Sequence, residues 1–536
     1  MPEDQDRFPA LDEEQIAQLI PFGETRQVQA GEVLFDQGDE HHGVFLVLEG
    51  SLEAAAVSQV LTRGMFTGEV NQISGRRSLV RCVAREASTV VEISRENIRQ
   101  IFEKNAELGQ IFLRAFLLRR VYLIQNSVGD AVLIGSNHSA DTLRLQSFLS
   151  RNGHPHTYLD VDHDPETQTV LDQFGVKLTD IPVLICRGNL VLRNPTNKEA
   201  ADCFGLNVGI DEENVYDIMV IGAGPSGLSA AVYGASEGLS VLVIETNAPG
   251  GQAGSSSRIE NYLGFPAGIS GQDLAGRAFV QAEKFGAKVA VARSALALEC
   301  ARKPYAIALD DGKSVKSRTV IIASGAEYRK PDLPNLAQFE GVGVYYGATN
   351  LEAGICKGED VAVVGGGNSA GQAAIFLASC AKHVYLMVRG PCLASTMSRY
   401  LISRIEGSPD ITLMTFTEIE KLEGEEQLRR IHWRNKKTDE TGIYEVPHVF
   451  MMTGACPNTA WLKGCLALDD KQFIKTGADA STDWPLRRSP YLLETSLPGV
   501  FAVGDVRSGS MKRVAAAVGE GSMAVQFVHK VLAEWE

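Results

Sequence analysis

The nine cysteines of this 536-residue chain include no Cys-x-x-Cys pair. That absence excludes the spacing of a zinc knuckle and of a vicinal redox dithiol, and the sequence offers no metal site. No stretch approaches the run of about 20 uncharged apolar residues that a membrane-spanning helix needs. The opening residues, Met1-Pro2-Glu3-Asp4-Gln5-Asp6, are acidic and polar, unlike a secretory signal. Positive charge is short as well: 51 Lys and Arg against 66 Asp and Glu give a net charge of −15. Phosphate neutralisation needs a basic face, so nucleic acid is not an expected partner. Nine scattered cysteines read as a reduced inventory, hence a cytoplasmic chain. A composition of 44% hydrophobic and 22% charged residues is globular, and the length suits roughly three to five domains.

What the chain does have is glycine in two patterned places. The first is Asp217-Ile218-Met219-Val220-Ile221-Gly222-Ala223-Gly224-Pro225-Ser226-Gly227. It reads as a strand, a glycine turn and the start of a helix. Gly222 permits the tight turn, Gly224 lets the backbone approach a pyrophosphate, and Gly227 lets helix and strand pack closely. The phosphate then sits on the helix N-terminus. A second apolar run, Val241-Leu242-Val243-Ile244, ends in Glu245, about 20 residues on, where an acid binds ribose hydroxyls. The second place is Val361-Ala362-Val363-Val364 followed by Gly365-Gly366-Gly367-Asn368-Ser369-Ala370. Its next strand, Val384-Tyr385-Leu386-Met387-Val388, ends in Arg389 instead of an acid, which favours a 2′-phosphate and hence NADPH.

Residues 1–126 alternate short β-type runs with glycine turns, as in Gly31-Glu32-Val33-Leu34-Phe35 and Gly43-Val44-Phe45-Leu46-Val47-Leu48-Glu49-Gly50. They predict a β-barrel or jelly roll. The glycines resemble those of the cyclic nucleotide-binding domain family. The resemblance implies that Gly68 and Glu69 bind a ribose 2′-hydroxyl, and that Arg77 (or its neighbour Arg76), with Ser78, meets a cyclic phosphate. The span from Glu69 to Arg77 is a residue or two shorter than in the cyclic-AMP receptors. The alternative is a barrel that binds nothing. Ser94 is a helix cap before Arg95, and Leu108, Ile111, Phe112, Ala115, Leu118 and Tyr122 recur at helical spacing. No helix-turn-helix candidate follows.

Residues 127–212 read as the strand Ala131-Val132-Leu133-Ile134-Gly135, a helix from Ala140 to Arg151, and a strand from His156 to Asp162. A turn at Asp164-Pro165-Glu166, a helix to Phe174, and a strand opening at Pro182 follow. This order resembles the thioredoxin and glutaredoxin fold. The loop that would carry the dithiol reads Ser136-Asn137-His138-Ser139. A hydroxyl cannot undergo disulfide exchange, so the unit is expected to be a redox-inactive adaptor.

Residues 213–536 resemble the low-molecular-weight thioredoxin reductases. The resemblance rests on Gly250-Gly251-Gln252, Glu260-Asn261, Gly365-Gly366-Gly367-Asn368-Ser369-Ala370 and Gly504-Asp505. It implies a multidomain α/β chain with two nested Rossmann-like domains: an FAD domain in two parts, 213–332 and 453–536, around an NAD(P)H domain, 333–452. The implied FAD residues are Gly222, Gly224, Pro225, Ser226, Gly227, Glu245, Gly251, Gln252, Asn261, Gly504, Asp505, Arg513, Val514 and Ala515. Those for NADPH are Gly365, Gly367, Asn368, Ser369, Ala370 and Arg389. In those reductases a Cys-Ala-Thr-Cys precedes the second fingerprint. Here the segment reads Gly347-Ala348-Thr349-Asn350-Leu351-Glu352. Gly347 and Asn350 stand at the thiol positions, and Glu352 is the remaining proton-donor candidate.

The expected activity is hydride transfer from NADPH to FAD and on to an unidentified acceptor without an active-site dithiol. A cyclic nucleotide is a candidate regulator, and a homodimer is implied by the resemblance. Three alternatives stand beside this. One is a ferredoxin or flavodoxin NADP reductase, a related scaffold lacking the cysteine pair. Another is a cyclic-nucleotide-responsive flavoprotein sensor. The third is a true thioredoxin-disulfide reductase using distant cysteines such as Cys356 and Cys380.

Overall fold

The computed structural model describes residues 2–40, 42–74, 76–126, 131–163, 167, 175–177, 180–186, 190–207, 210–425, 427–462, 464–482 and 484–535. By their internal contacts these fall into two compact units. The first comprises Met1–Gly135, Asn152–Val208 and Glu283–Phe285; the second comprises Ser136–Arg151, Gly209–Ala282 and Gly286–Glu536.

The first unit begins with the expected β-rich domain. Strands Glu24–Val28, Ser88–Ile93 and Val44–Glu49 form one antiparallel sheet; Val33–Phe35, Cys82–Ala84, Leu52–Ala54 and Gln59–Leu61 form another. Phe35, Phe45, Val47, Leu52, Leu61 and Val90 share one core. Apolar residues are concentrated on the faces that meet there, because alternate strand positions point to opposite sides. Ser94 caps the helix Arg95–Lys104 by accepting from the Asn97 amide. The helix Ala106–Gln125 buries Leu108, Phe112, Ala115 and Phe116.

A four-stranded sheet follows in the order Leu190–Arg193, Val183–Cys186, Ala131–Gly135, His156–Asp160. The middle pair is antiparallel, and Ala131–Gly135 runs parallel to His156–Asp160. The Ile181–Pro182 peptide is cis. The turn expected at Asp164-Pro165-Glu166 and the helix continuing to Phe174 lie outside the described residues, save Thr167, which is helical.

The second unit holds two larger sheets. In one, Lys288–Val291, Val241–Glu245, Val215–Ile221, Ser314–Ile322 and Val500–Ala502 are parallel neighbours, extended by antiparallel Tyr305–Leu309 and Ala295–Glu299. The other is parallel throughout, in the order Val344–Tyr345, His448–Met451, Asp360–Val364, His383–Val388, Ile411–Thr415. Such strands are buried on both faces and so read as near-continuous apolar runs. The chain passes between the two sheets as a two-stranded ribbon, Ala326–Tyr328 against Ala455–Pro457. No helix among the described residues is long and apolar enough to cross a membrane.

The expectation of an entirely reduced cysteine inventory is corrected. Cys186 is bonded to Cys203, and Cys300 to Cys465. Both pairs join residues too far apart in sequence, by 17 and 165 positions, for a local spacing rule to find.

Candidate functional site

A single cleft of about 1950 Å³ in the second unit is lined by residues of both glycine fingerprints. On the first side the strand Val215–Ile221 delivers Gly222 in a left-handed conformation, φ +101°. Gly224 is the N-cap and Pro225 the first residue of the helix Pro225–Ser236, where a missing amide costs nothing. A Cβ on Gly227 would overlap the Gly222 carbonyl oxygen, which is the close helix–strand packing expected of the third glycine. At Gly224 the surroundings are open: the nearest atom to an added Cβ is Gly251 Cα at 4.0 Å.

Glu245 ends its strand 7% exposed. One carboxylate oxygen accepts from the Ala223 amide at 2.7 Å and the other from the Asn247 amide at 2.9 Å. The acid is thus fixed beside the glycine turn. Asp505 lies on the turn Gly504–Val506, itself held by a 2.7 Å bond from the Gly504 amide to Glu520. Burial pushes the Asp505 carboxyl above its usual range, partly opposed by Lys512, with Glu520 adding to the rise. Asp505 lines the cleft and, among the described residues, has no hydrogen-bond partner there. Pro225, Ser226, Gly251, Gln252, Asn261, Arg513 and Val514 also line it, and Gln252 donates to the Ala326 carbonyl. Gly227, Gly504 and Ala515 do not reach the lining. An open glycine cradle, a helix N-terminus, a ribose-type acid and an unengaged carboxylate together suit FAD.

On the second side, Asp360–Val364 leads through Gly365, φ +149°, to the helix Asn368–Leu377 with Gly367 as its cap. An added Cβ at Gly367 would meet nothing within 4 Å. Asn368 accepts from the Ser398 amide at 2.7 Å, and Thr396 donates to Gly366 O at 2.6 Å. Burial pushes the Tyr328 phenol up, partly opposed by Ser369. Arg389 is exposed on the lining and pairs with no described acid, so its guanidinium is available to a phosphate. Ala370 is buried under the turn. These residues fit NADPH.

Gly347 and Ala348 line the same cleft, but Asn350 does not. Thr349 and Glu352 form a capping box at the helix Asn350–Ile355, with the Thr349 amide donating to Glu352 at 2.8 Å and the Thr349 hydroxyl to the same oxygen. The candidate donor Glu352 is therefore engaged as a cap. Cys356 and Cys380 do come near each other: their thiols donate to Ala353 O and Leu377 O, and burial, with Cys380 adding to it, pushes the Cys356 thiol up to about 12. Cys380 follows the far end of the helix Asn368–Leu377 from the Gly367 turn, about 15 Å away at 1.5 Å per residue, and Cys356 caps the helix Asn350–Ile355. A buried, protonated thiol at that remove is a poor relay.

In the first unit Gly68, Glu69 and Ser78 line a cavity of about 50 Å³, and Arg77 does not. Arg77 donates instead to Glu40 at 2.7 Å and to Cys203 O at 3.1 Å. Glu69 pairs with Arg120 at 3.0 Å, and Gly68 O accepts from Arg119 at 2.8 Å. The described positions expected for a cyclic nucleotide are thus largely engaged by the protein's own groups. Sequence reasoning missed Arg119 and Arg120, and in the cleft it missed Tyr328, Lys512 and Arg151. None of these lies in a motif.

Comparison with known proteins agrees with this geometry. The family described as pyridine nucleotide-disulphide oxidoreductase matches residues 216–521, and the cyclic nucleotide-binding domain matches residues 25–105. The thioredoxin reductase of Bacillus subtilis (strain 168) is 31% identical over 328 residues, 61% of this chain and 97% of its own. The NADPH-dependent thioredoxin reductase 3 of Arabidopsis thaliana is 31% identical over 362 residues, 64% of this chain and 65% of its own. The crystal structure of Lactococcus lactis thioredoxin reductase (FR conformation) is 27% identical, with a TM-score of 0.54 over 60% of this chain and 99% of that one. The chain belongs to the pyridine nucleotide-disulphide oxidoreductase family, as a thioredoxin reductase-like oxidoreductase of the FAD- and NADPH-using kind that also carries an N-terminal cyclic nucleotide-binding domain.

Proposed function

We propose that this chain is an NADPH oxidoreductase whose electrons leave the flavin by a route other than an active-site cysteine pair. The observation that carries the reading is the single cleft lined by both fingerprints, with glycine at 347 and asparagine at 350. FAD in that cleft supplies a two-electron acceptor for nicotinamide hydride, and the protein supplies binding and orientation. The amides of Gly224 and Ser226 would hold its pyrophosphate, Glu245 its ribose hydroxyls and Asp505 its ribityl chain. Arg389 holds the 2′-phosphate of NADPH beside the turn Gly365 to Asn368. The acceptor is an electron-carrier protein, a quinone, oxygen or an external disulfide. In this reading residues 1–126 are the cyclic nucleotide-binding domain and 127–212 a thioredoxin-like adaptor. Residues 213–332 and 453–536 are the FAD domain, and 333–452 the NADPH domain. Anaerobic mixing with NADPH should bleach the flavin absorbance, followed by reoxidation in an acceptor screen. A flavin that stays oxidised defeats the reading. Rapid reduction of thioredoxin by the wild type that is lost in a chain with Cys356→Ser and Cys380→Ser defeats only its acceptor half.

A second reading, regulation by a cyclic nucleotide, is favoured by the match of residues 25–105 and by the shared cavity of Gly68, Glu69 and Ser78. Coupling of that kind must be reciprocal. Calorimetry with cyclic AMP and cyclic GMP tests it, with turnover measured alongside: no heat and no change in turnover leave the barrel as scaffold.

A further inference from the structure

The segment Ser136–Arg151 has no role in the chemistry above, because its loop holds no thiol. Its contacts nevertheless place it with the flavoprotein. Leu143 is buried in the same core cluster as Tyr345 and Ala348. Gln272 Nε2 donates to Ser150 O at 2.6 Å. The helix Ala140–Arg151 is thereby held at both ends, and its last residue, Arg151, enters the lining of the cleft.

Arg151 Nη2 donates to Gly251 O at 2.9 Å. Gly251 stands against the phosphate glycine of the first fingerprint: a Cβ built on it would lie 3.1 Å from Gly224 Cα. Arg151 Nε is buried without an acceptor, and among the described residues no carboxylate forms an ion pair with the guanidinium. Burial lowers its pKa, while the more distant Glu245 and Glu352 oppose that shift. A half-buried cation bonded to one carbonyl, with its Nε shielded from water and no ion-pair partner, gains when an anion joins it. The neighbouring helix N-terminus at Gly224 is where a pyrophosphate is expected, and it offers partial charges from amides but no full positive charge. A guanidinium matches phosphate oxygens as a planar fork of donors.

We propose that Arg151 is a ligand of the FAD pyrophosphate, so that the helix Ala140–Arg151 of the unit without a Cys-x-x-Cys is a working part of the flavin site. This rests on the assignment of FAD to the Gly222–Gly227 turn. It gives the unit a task that needs no dithiol: it supplies the full positive charge that the glycine turn lacks.

The test compares the full-length wild type with two variants, Arg151→Gln and Arg151→Lys. Flavin fluorescence during reconstitution gives the FAD affinity, and thermal melts of apoprotein and holoprotein give the structural control. Arg151→Gln should weaken FAD binding by about tenfold or more, the scale of one charge-assisted bond. It should also flatten the salt dependence of FAD release. Arg151→Lys keeps the charge but loses the fork and should weaken binding severalfold. The apoprotein melting temperature should not fall in either, because the Arg151 charge has no ion-pair partner to lose. FAD affinity within twofold of wild type in Arg151→Gln overturns the proposal. So does an equal drop in apo and holo melting temperatures, which marks a packing role. If Arg151→Gln does not fold, unchanged affinity in Arg151→Lys overturns it. A wild-type chain that holds no flavin instead defeats the FAD assignment itself.

Discussion

Two regions of this chain carry nucleotide-binding signatures, and they differ in what their polar groups are doing. In the barrel, Glu69 is paired with Arg120, Gly68 O with Arg119 and Arg77 with Glu40, around a cavity of about 50 Å³. In the cleft of about 1950 Å³, Asp505 and Arg389 have no described hydrogen-bond or ion-pair partner, and Gly224 and Gly367 have open surroundings. A motif places residue types; whether they are free to meet a ligand depends on neighbours the motif does not contain. The difference also assigns costs. Mutations in the barrel should act first on stability, and mutations in the cleft on cofactors.

The largest effect expected is at Gly227. An added Cβ there would lie 1.9 Å from the Gly222 carbonyl oxygen, so Gly227→Val should destabilise by about 4 kcal/mol or more. Purified protein should be colourless or insoluble, read as flavin absorbance per chain. Next is Arg120→Ala, which leaves the 6%-exposed Glu69 without its cation. A loss of about 3–5 kcal/mol in denaturant unfolding is expected, with NADPH-driven flavin reduction of the folded fraction unchanged. A barrel indifferent to this change would break the comparison. In the cleft, Arg389→Ala should lower kcat/KM for NADPH about tenfold and leave NADH nearly unaffected. A parallel fall with both cofactors would place Arg389 outside the 2′-phosphate site.

The smallest effect is a pH dependence in the barrel. His42 is stacked on Phe35 at 4.1 Å, and burial lowers its pKa against the opposing pull of Gly43 O, Glu69, Asp39 and Glu92. The unfolded chain, with an ordinary histidine near about 6.5, then binds the proton more readily than the folded one. Stability from this group is present above about pH 6.5 and is lost as pH falls through the folded value, by at most about 1.4 kcal/mol per pH unit. Urea midpoints between about pH 7 and 5 should fall less steeply in His42→Gln than in the wild type.

The parts of this molecule legible in the sequence are those governed by neighbours in the chain. The fingerprint at Gly222, its acid at Glu245, the closing Gly504-Asp505 and the cap at Ser94 follow from spacing and local backbone geometry. Glu352 shows the limit even at short range: its separation from Thr349 is that of a capping box, and the cap engages the carboxylate. Arg77 kept the expected residue type but turns to Glu40 and Cys203 O, partners 37 and 126 positions away. Arg151 was invisible for the same reason. It lies exactly 100 residues from the glycine whose carbonyl it binds, on a helix whose own neighbourhood suggested a different kind of site.

The disulfide between Cys300 and Cys465 encloses the whole second sheet, from Val344–Tyr345 to His448–Met451, within its 165-residue span. The flavin-side sheet draws strands from both sides of that span, with Ser314–Ile322 inside it and Val500–Ala502 after it. The chain is therefore a covalent ring with the flavin-side strands at its clasp. Local melting of the NADPH-side sheet leaves the clasp closed, and the ends of the ring cannot drift apart. In the chain-entropy account a closure this long restricts the denatured ensemble by about 5 kcal/mol. Reduction of a single bond would turn the insertion from a tethered loop into an ordinary linear stretch of chain.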